Sequence, residues 1–153
     1  MKYRYLLDIP RESICKDWES LVDAAIAADP QAPFLVLLRD ENIPAKLRIS
    51  GYAYQICKMD RPSGVRLALR LARIVEPLST DPRVKSCNDA TEAFLRGKMA
   101  KEDLIKYSTD VRAAAYDAST TNTANAAYAA YAADSRMIEQ MLTEIETTYA
   151  EME

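Results

Sequence analysis

The last 56 residues of the chain, 98–153, contain neither glycine nor proline. These two residues disfavour a helix interior most strongly, so a stretch this long without them favours helix. The whole chain has only 3 glycines, and no segment keeps the β-branched alternation of a sandwich or barrel. Its 153 residues suit one domain. The sequence therefore predicts an all-α fold: one helical domain over 1–153, built as a compact bundle of six to seven helices.

Prolines divide the first part of the chain into elements. Residues 1–9 contain aromatic and aliphatic side chains without a partner strand, which predicts an extended N-terminal arm packed on helices. A helix is expected from Pro10 to the break at Asp29-Pro30, because apolar residues there recur every three or four positions. The apolar run 33–38 is interpreted as a short buried helix, and 45–59 as a longer one.

Capping residues set the limits of the next two helices. Ser63 is a candidate N-cap for a central helix that Pro77 stops. Thr80-Asp81-Pro82 combines a capping residue with proline at the first helical position, which is a strong start signal. Gly97 suits the left-handed residue that ends a helix.

Residues 101–153 contain alanine-rich blocks and predict an antiparallel helical hairpin. Ser119–Asn125 is poor in helix formers, so we expect the turn there. The alanine side chains on the facing sides of the two helices are small and allow close packing, and the rings of Tyr128 and Tyr131 fill the gaps between the helices. The alternatives are an aromatic groove for a ligand or partner helix, and one long helix in an oligomeric coiled coil.

The composition excludes many kinds of chemistry. The chain has no histidine, so it lacks Ser-His-Asp or Cys-His catalysis and histidine-ligated metal sites. Cys15, Cys57 and Cys87 are far apart and form no CxxC pair, which is typical of free thiols in a reducing cytoplasm. Three glycines are too few for a phosphate-binding loop. We therefore expect no enzyme activity, no cofactor and no metal, and a cytoplasmic location in a bacterial cell or a phage-infected host.

Charge is distributed unevenly along the chain. Residues 39–73 carry eight basic and three acidic side chains, a net of +5, and residues 134–153 carry six acidic side chains against one arginine, a net of −5. Arg66, Arg70 and Arg73 follow the spacing i, i+4, i+7 of one helix face, which suits phosphate or an acidic protein surface. The alternatives are a solvated face and internal pairing with the acidic final helix. With an overall charge of −3, nucleic-acid binding is not expected.

One part of the sequence resembles a known family. Thr80-Asp81-Pro82-Arg83-Val84, the segment 90–98 that ends at Gly97-Lys98, and the alanine blocks 113–116 and 126–133 are similar to the Ala-rich immunity-protein family of bacterial toxin loci and phage genomes. The resemblance covers residues 64–135. It implies a small, non-enzymatic helical protein that neutralises another protein, or a phage accessory protein.

The sequence thus predicts a non-catalytic, protein-binding inhibitor, which is immunity-like or a phage-encoded anti-defence or accessory protein. The alternative function is a helical module that binds or sequesters a phosphate-bearing small molecule. The expected partner is an acidic protein, a membrane partner is not expected, and a homo-oligomer is left open. The candidate partner-binding residues are Arg66, Arg70, Arg73, Tyr52, Tyr54, Tyr128 and Tyr131.

Overall fold

The computed structural model describes residues 2–14, 16–107, 109 and 135–152, which contain helices and turns and no strand beyond one isolated bridge. The prediction of an all-α fold is confirmed. The α-helices whose first and last residues are defined are α1 (Lys16–Ala28), α2 (Ala45–Met59), α3 (Arg61–Val75), α4 (Pro82–Leu95) and α5 (Ser135–Glu151). Single 3-10 turns cover Leu6–Asp8, Arg11–Ser13 and Glu76–Leu78, and residues 101–107 are helical.

The chain divides into two compact units. The first contains Met1–Ala68 and Met141–Glu153, and the second contains Leu69–Gln140. The grouping of all residues into a single domain stays a prediction.

Part of the predicted hairpin lies outside the described residues. These are its turn, Ser119–Asn125, together with Tyr128 and Tyr131 and most of the alanine blocks. Helix is present on both sides, at 101–107 and in α5.

Helix ends agree with the sequence where proline or glycine marks them. Helix α1 ends just before Asp29-Pro30, and α2 covers the predicted range. At the start of α4, the Asp81 side chain accepts a 2.9 Å hydrogen bond from the Arg83 amide. At its end, Gly97 has φ +68°, and the Lys98 amide donates to the Ala93 carbonyl over 2.8 Å. This is the glycine-dependent helix ending that the sequence predicts.

Two predicted helix starts are wrong. The first helix begins at Lys16 rather than at Pro10, because the Ser13 amide closes a separate turn on the Pro10 carbonyl and Ile14 is extended. The central helix begins at Arg61 and not after Ser63. The carboxylate of Asp60 accepts from the Ser63 amide over 2.9 Å, so Asp60 takes the capping role that we assigned to Ser63.

The short helix predicted over 33–38 is also wrong, because residues 34–39 form turns. The hydroxyl of Tyr52 donates to the Phe34 carbonyl over 2.8 Å and accepts from the Leu37 amide over 3.0 Å. An α-helix would use this carbonyl and this amide for its own bonds. The Leu38 amide bonds to Leu35 instead, in a tighter turn. A tertiary contact has therefore replaced local helix.

Aromatic rings form the centre of the first unit. Trp18, Phe34 and Tyr52 are almost completely buried. The Tyr52 ring meets the other two edge to face, at centroid distances of 4.7 Å from Trp18 and 5.2 Å from Phe34. Tyr149 of α5 stacks on Phe34 at 5.1 Å. Such pairs stabilise a core beyond the area that they bury.

The N-terminal arm adds to this core. Tyr5 forms an antiparallel bridge with Pro33, and the Leu6 amide donates to the Ala32 carbonyl over 3.0 Å. Leu6 itself is completely buried. The arm is held by backbone hydrogen bonds as well as by packing.

Candidate protein-binding surface

The three arginines singled out from the sequence all lie in α3, so their spacing is that of a continuous helix. Arg66 belongs to the first unit and is exposed. Arg70 and Arg73 belong to the second unit and are half-buried.

Arg73 is the centre of an ion-pair cluster in the second unit. Its guanidinium contacts Glu76 at 2.6 Å, Asp89 at 2.7 Å and Glu92 at 2.9 Å. Its side chain is only 30% exposed. These contacts favour the internal-pairing alternative for Arg73, but the carboxylates belong to α4 and to the turn after α3, and not to the acidic final helix.

The cluster changes the ionisation of its members. Hydrogen bonds from Asn88 and Arg73 hold the pKa of Glu76 below its ordinary value. Those from Lys85 and Arg73 do the same for the pKa of Asp89. The hydrogen bond to Asp89 is the main reason why the pKa of Arg73 is raised. The charged forms of all three groups are therefore favoured in the folded state.

We expect Arg73→Met to lower the free energy of unfolding by about 1 kcal/mol, because Arg73 links three carboxylates whereas a single exposed pair contributes less. The wild-type contribution is present above about pH 4, and it is lost as the pH falls through the lowered pKa values of Glu76 and Asp89. The variant should thus lose less stability between pH 5 and pH 3. Urea unfolding at both pH values measures this.

Lys106→Met, which removes a 3.5 Å pair with Asp103, is the control and should change neither the free energy of unfolding nor its dependence on pH. An unchanged acid dependence in Arg73→Met would contradict the prediction.

Tyr52 is a core residue, and we correct its assignment to a partner surface. It has no exposed side-chain area, both hydrogen bonds of its hydroxyl go to the backbone, and burial raises its pKa far above the ordinary value. The sequence contains a signal for this burial, because Ile49 and Ile56 flank Tyr52 at spacings of three and four residues. Tyr54, two residues further along α2, points elsewhere on the helix.

Tyr54 stays on the surface, with 41% of it exposed. The ammonium group of Lys58, one turn later, lies 5.3 Å from the centroid of its ring. This cation–aromatic pair presents an apolar face and a positive charge at one place.

Two further cations follow where α2 turns into α3. Only Asp60 separates the two helices. Arg61 is exposed, and within the described part of the chain neither it nor Lys58 pairs with a carboxylate. Arg66 donates to the Ser63 hydroxyl over 2.7 Å and lies 3.9 Å from Asp60. We call Tyr54, Lys58, Arg61 and Arg66 the basic corner. Lys58 and Arg61 were not among the residues predicted from the sequence, although the break between two helical patterns near Asp60 is a signal that places them at the same connection.

Close packing holds the basic corner in shape. Gly64 of α3 lies directly against Cys57 of α2, so that a Cβ atom at position 64 would come within 2.5 Å of the Cys57 Cα atom. The helices approach this closely only because residue 64 has no side chain. The exposed cations therefore project from two firmly joined helices.

Neither a protein-family model, nor a curated protein, nor a solved structure matches this chain. The resemblance to immunity proteins stays a prediction, and function is inferred from the chemistry of the surface. Among the described helices, none has the length and apolar character that a bilayer span requires.

Proposed function

We propose that this protein is a non-catalytic inhibitor that binds an acidic partner protein through the basic corner and neutralises it, as an immunity-like or phage-encoded protein does. The observation that supports this function is the exposed cluster of Tyr54 and Lys58 beside Arg61. Tyrosine and arginine are enriched at the centres of protein interfaces, where they account for much of the binding energy.

The rigidity of the corner supports the same function. A side chain that projects from a fixed backbone loses less entropy on binding than one on a mobile loop. Helices α2 and α3 are joined through a single residue and pack directly at Cys57 and Gly64. The entropy lost on ordering this surface during binding is therefore smaller than it would be for a mobile loop.

The charge of the corner determines which partner fits. The chain as a whole is acidic, with a net charge of −3, whereas the basic corner carries the cations of Lys58, Arg61 and Arg66 beside a single carboxylate, that of Asp60. A local positive surface on an acidic protein attracts an acidic partner surface in one orientation and repels it in others. This favours a protein with clustered carboxylates as the target.

Charge reversal at the corner tests the proposal. The double variant Lys58→Glu/Arg61→Glu should fold as the wild type does, because both side chains are exposed. The wild-type chain serves as bait in a lysate, the captured protein is identified and purified, and its affinity for each variant is measured by calorimetry. We expect the double variant to bind at least about 100-fold more weakly, since like charges then face each other. Co-expression should show that the wild type suppresses the partner's activity and that the variant does not.

The matched control is Lys98→Glu/Lys101→Glu. It makes the same change in net charge at two exposed lysines of the second unit. This variant should retain the wild-type affinity. Equal weakening by both variants would mean that only overall charge matters, and unchanged binding by the corner variant would rule out the basic corner as the interface.

A further inference from the structure

One residue of the N-terminal arm, Tyr3, joins two helices of the first unit. Its amide donates a hydrogen bond to the sulfur atom of Met59, the last residue of α2, over 3.1 Å. Its carbonyl accepts a hydrogen bond from the hydroxyl of Tyr149 in α5 over 2.5 Å. Its ring meets Phe34 edge to face, at a centroid distance of 6.1 Å. The start of the arm is therefore tied to α2 through a methionine sulfur.

Met59 differs from the other described methionines of the first unit. Met141 and Met152 are buried, whereas Met59 is only half-buried. A thioether sulfur is a weak hydrogen-bond acceptor with two lone pairs. The Tyr3 amide uses one of them, so the other is left to react with an oxidant. In Met59, partial exposure thus coincides with a structural contact made by the atom that oxidation changes.

We infer that Met59 is a reversible oxidation site whose sulfoxide releases the start of the N-terminal arm. The oxidant is hydrogen peroxide: the sulfur lone pair attacks one peroxide oxygen, the O–O bond breaks and an S–O bond forms. The sulfur loses two electrons, and the second oxygen leaves as water after proton transfer. A methionine sulfoxide reductase reverses the step, since two thiols become a disulfide and the sulfoxide oxygen leaves as water.

The present contact has no place for the added oxygen. If the oxygen points at the Tyr3 amide, the nitrogen lies at least about 2.7 Å from it, and the sulfur behind it is farther away than the present 3.1 Å. If the oxygen points elsewhere, the sulfoxide sulfur carries partial positive charge and no longer accepts the hydrogen bond. The polar sulfoxide also favours water over a half-buried position. Either orientation separates the arm from α2 at Tyr3.

The arm has a natural limit to this release. When Tyr3 moves, the Tyr149 hydroxyl loses the carbonyl to which it donates. The next residues are held separately, because the Asp8 carboxylate accepts from the amides of Arg4 and Tyr5 over 2.8 Å and 2.9 Å. Oxidation of Met59 should therefore loosen the first residues of the arm and leave its turn in place. The inference does not rest on the proposed inhibitor function, because it concerns the arm and not the basic corner.

Hydrogen exchange of the full-length protein tests this inference. The wild type is treated with hydrogen peroxide, the sulfoxide at each methionine is quantified by peptide mass spectrometry, and amide exchange is followed by NMR. We expect the Tyr3 amide to exchange at least about tenfold faster in the oxidised protein. The Leu6 amide, which bonds to the Ala32 carbonyl, should keep its rate. Treatment with the reductase should restore slow exchange at Tyr3.

Two variants assign the effect to one sulfur atom. Met59→Leu keeps an apolar side chain of similar volume but cannot be oxidised, so its Tyr3 amide should exchange at the same rate before and after peroxide. This variant retains the exposed Cys57, so a response that persists in it would come from a thiol. Met99→Leu changes a half-buried methionine of the second unit and should respond to peroxide as the wild type does.

The inference is overturned if Tyr3 exchange is unchanged when Met59 is fully oxidised, or if Met59→Leu responds as strongly as the wild type. It is also overturned if Met59 stays reduced while Met99 is oxidised. If Met59→Leu does not fold, the wild type alone decides. The exchange rate of the Tyr3 amide then has to follow the fraction of sulfoxide at Met59 and not the fraction at Met99.

Discussion

Gly64→Ala should destabilise the protein by about 2–3 kcal/mol, although alanine is the better helix former by about 1 kcal/mol. A Cβ atom at position 64 would lie 2.5 Å from the Cα atom and 2.7 Å from the Cβ atom of Cys57. Real Cβ atoms do not approach a backbone carbon this closely, so α2 and α3 would have to move apart. Urea unfolding followed by circular dichroism measures the loss.

Gly97→Ala is the control for this prediction. Gly97 has a φ of +68°, and beyond its two neighbours in the chain no atom of the described structure lies within 4 Å of the position that its Cβ would occupy. This substitution strains the backbone without a clash, so we expect a loss of about 1 kcal/mol. A stabilised Gly64→Ala variant would contradict the close packing, since helix propensity would then be the larger effect.

The Gly64 variant also affects the proposed function. If α2 and α3 separate, Lys58 and Arg61 move relative to each other, because they lie on opposite sides of the connection at Asp60. Partner binding should then weaken even though every cation of the basic corner is still present. Arg61→Lys, which keeps both the charge and the packing, should weaken binding less.

Local signals were sufficient to predict a large part of the fold. The ends of α4 depend on Asp81, Pro82 and Gly97, and each acts on backbone atoms within a few residues of itself. The same holds for the end of α1 before Asp29-Pro30. Such effects are encoded in short sequence windows, so the sequence analysis places them correctly.

Other features depend on residues that are distant in sequence. The turns over 34–39 form because the hydroxyl of Tyr52 bonds to the backbone there, and hydrophobic periodicity contains no information about that hydroxyl. Arg73 likewise pairs with Asp89 and Glu92 on the next helix. Gly51 leaves room for the indole of Trp18, which would lie 2.6 Å from a Cβ atom there, and no local sequence pattern reveals that contact.

The candidate site shows the same difference between features that the local sequence reveals and features that depend on packing. The sequence identified the basic segment and Tyr54, because charge and aromatic residues can be counted directly. It did not distinguish the exposed Tyr54 from the buried Tyr52, since both were treated as one group of tyrosines. The sequence also did not reveal that the Arg48 side chain is buried, because only the packing of the folded chain determines this.

Tyr52→Phe should lower the free energy of unfolding by about 2–3 kcal/mol. The ring contacts with Trp18 and Phe34 remain in the variant, so the change isolates the hydroxyl group. Without that group the Leu37 amide loses the acceptor of its hydrogen bond, and the Phe34 carbonyl loses the hydrogen bond that Tyr52 donates to it. Each buried backbone group left unpaired costs about 1–3 kcal/mol, and partial rearrangement of the turn offsets some of this cost. Thermal and urea unfolding measure the difference.

Tyr54→Phe is the matched control, because it makes the same chemical change two residues away on the same helix. Tyr54 is 41% exposed, so we expect a change within about 0.5 kcal/mol. The phenylalanine ring keeps the contact with Lys58, and the affinity for an acidic partner should fall only slightly. Equal losses of stability in the two variants would contradict the structural role of the Tyr52 hydroxyl. If Tyr52→Phe is much less stable and yet binds the partner with wild-type affinity once folded, then Tyr52 acts through the core, and the binding surface begins at Tyr54.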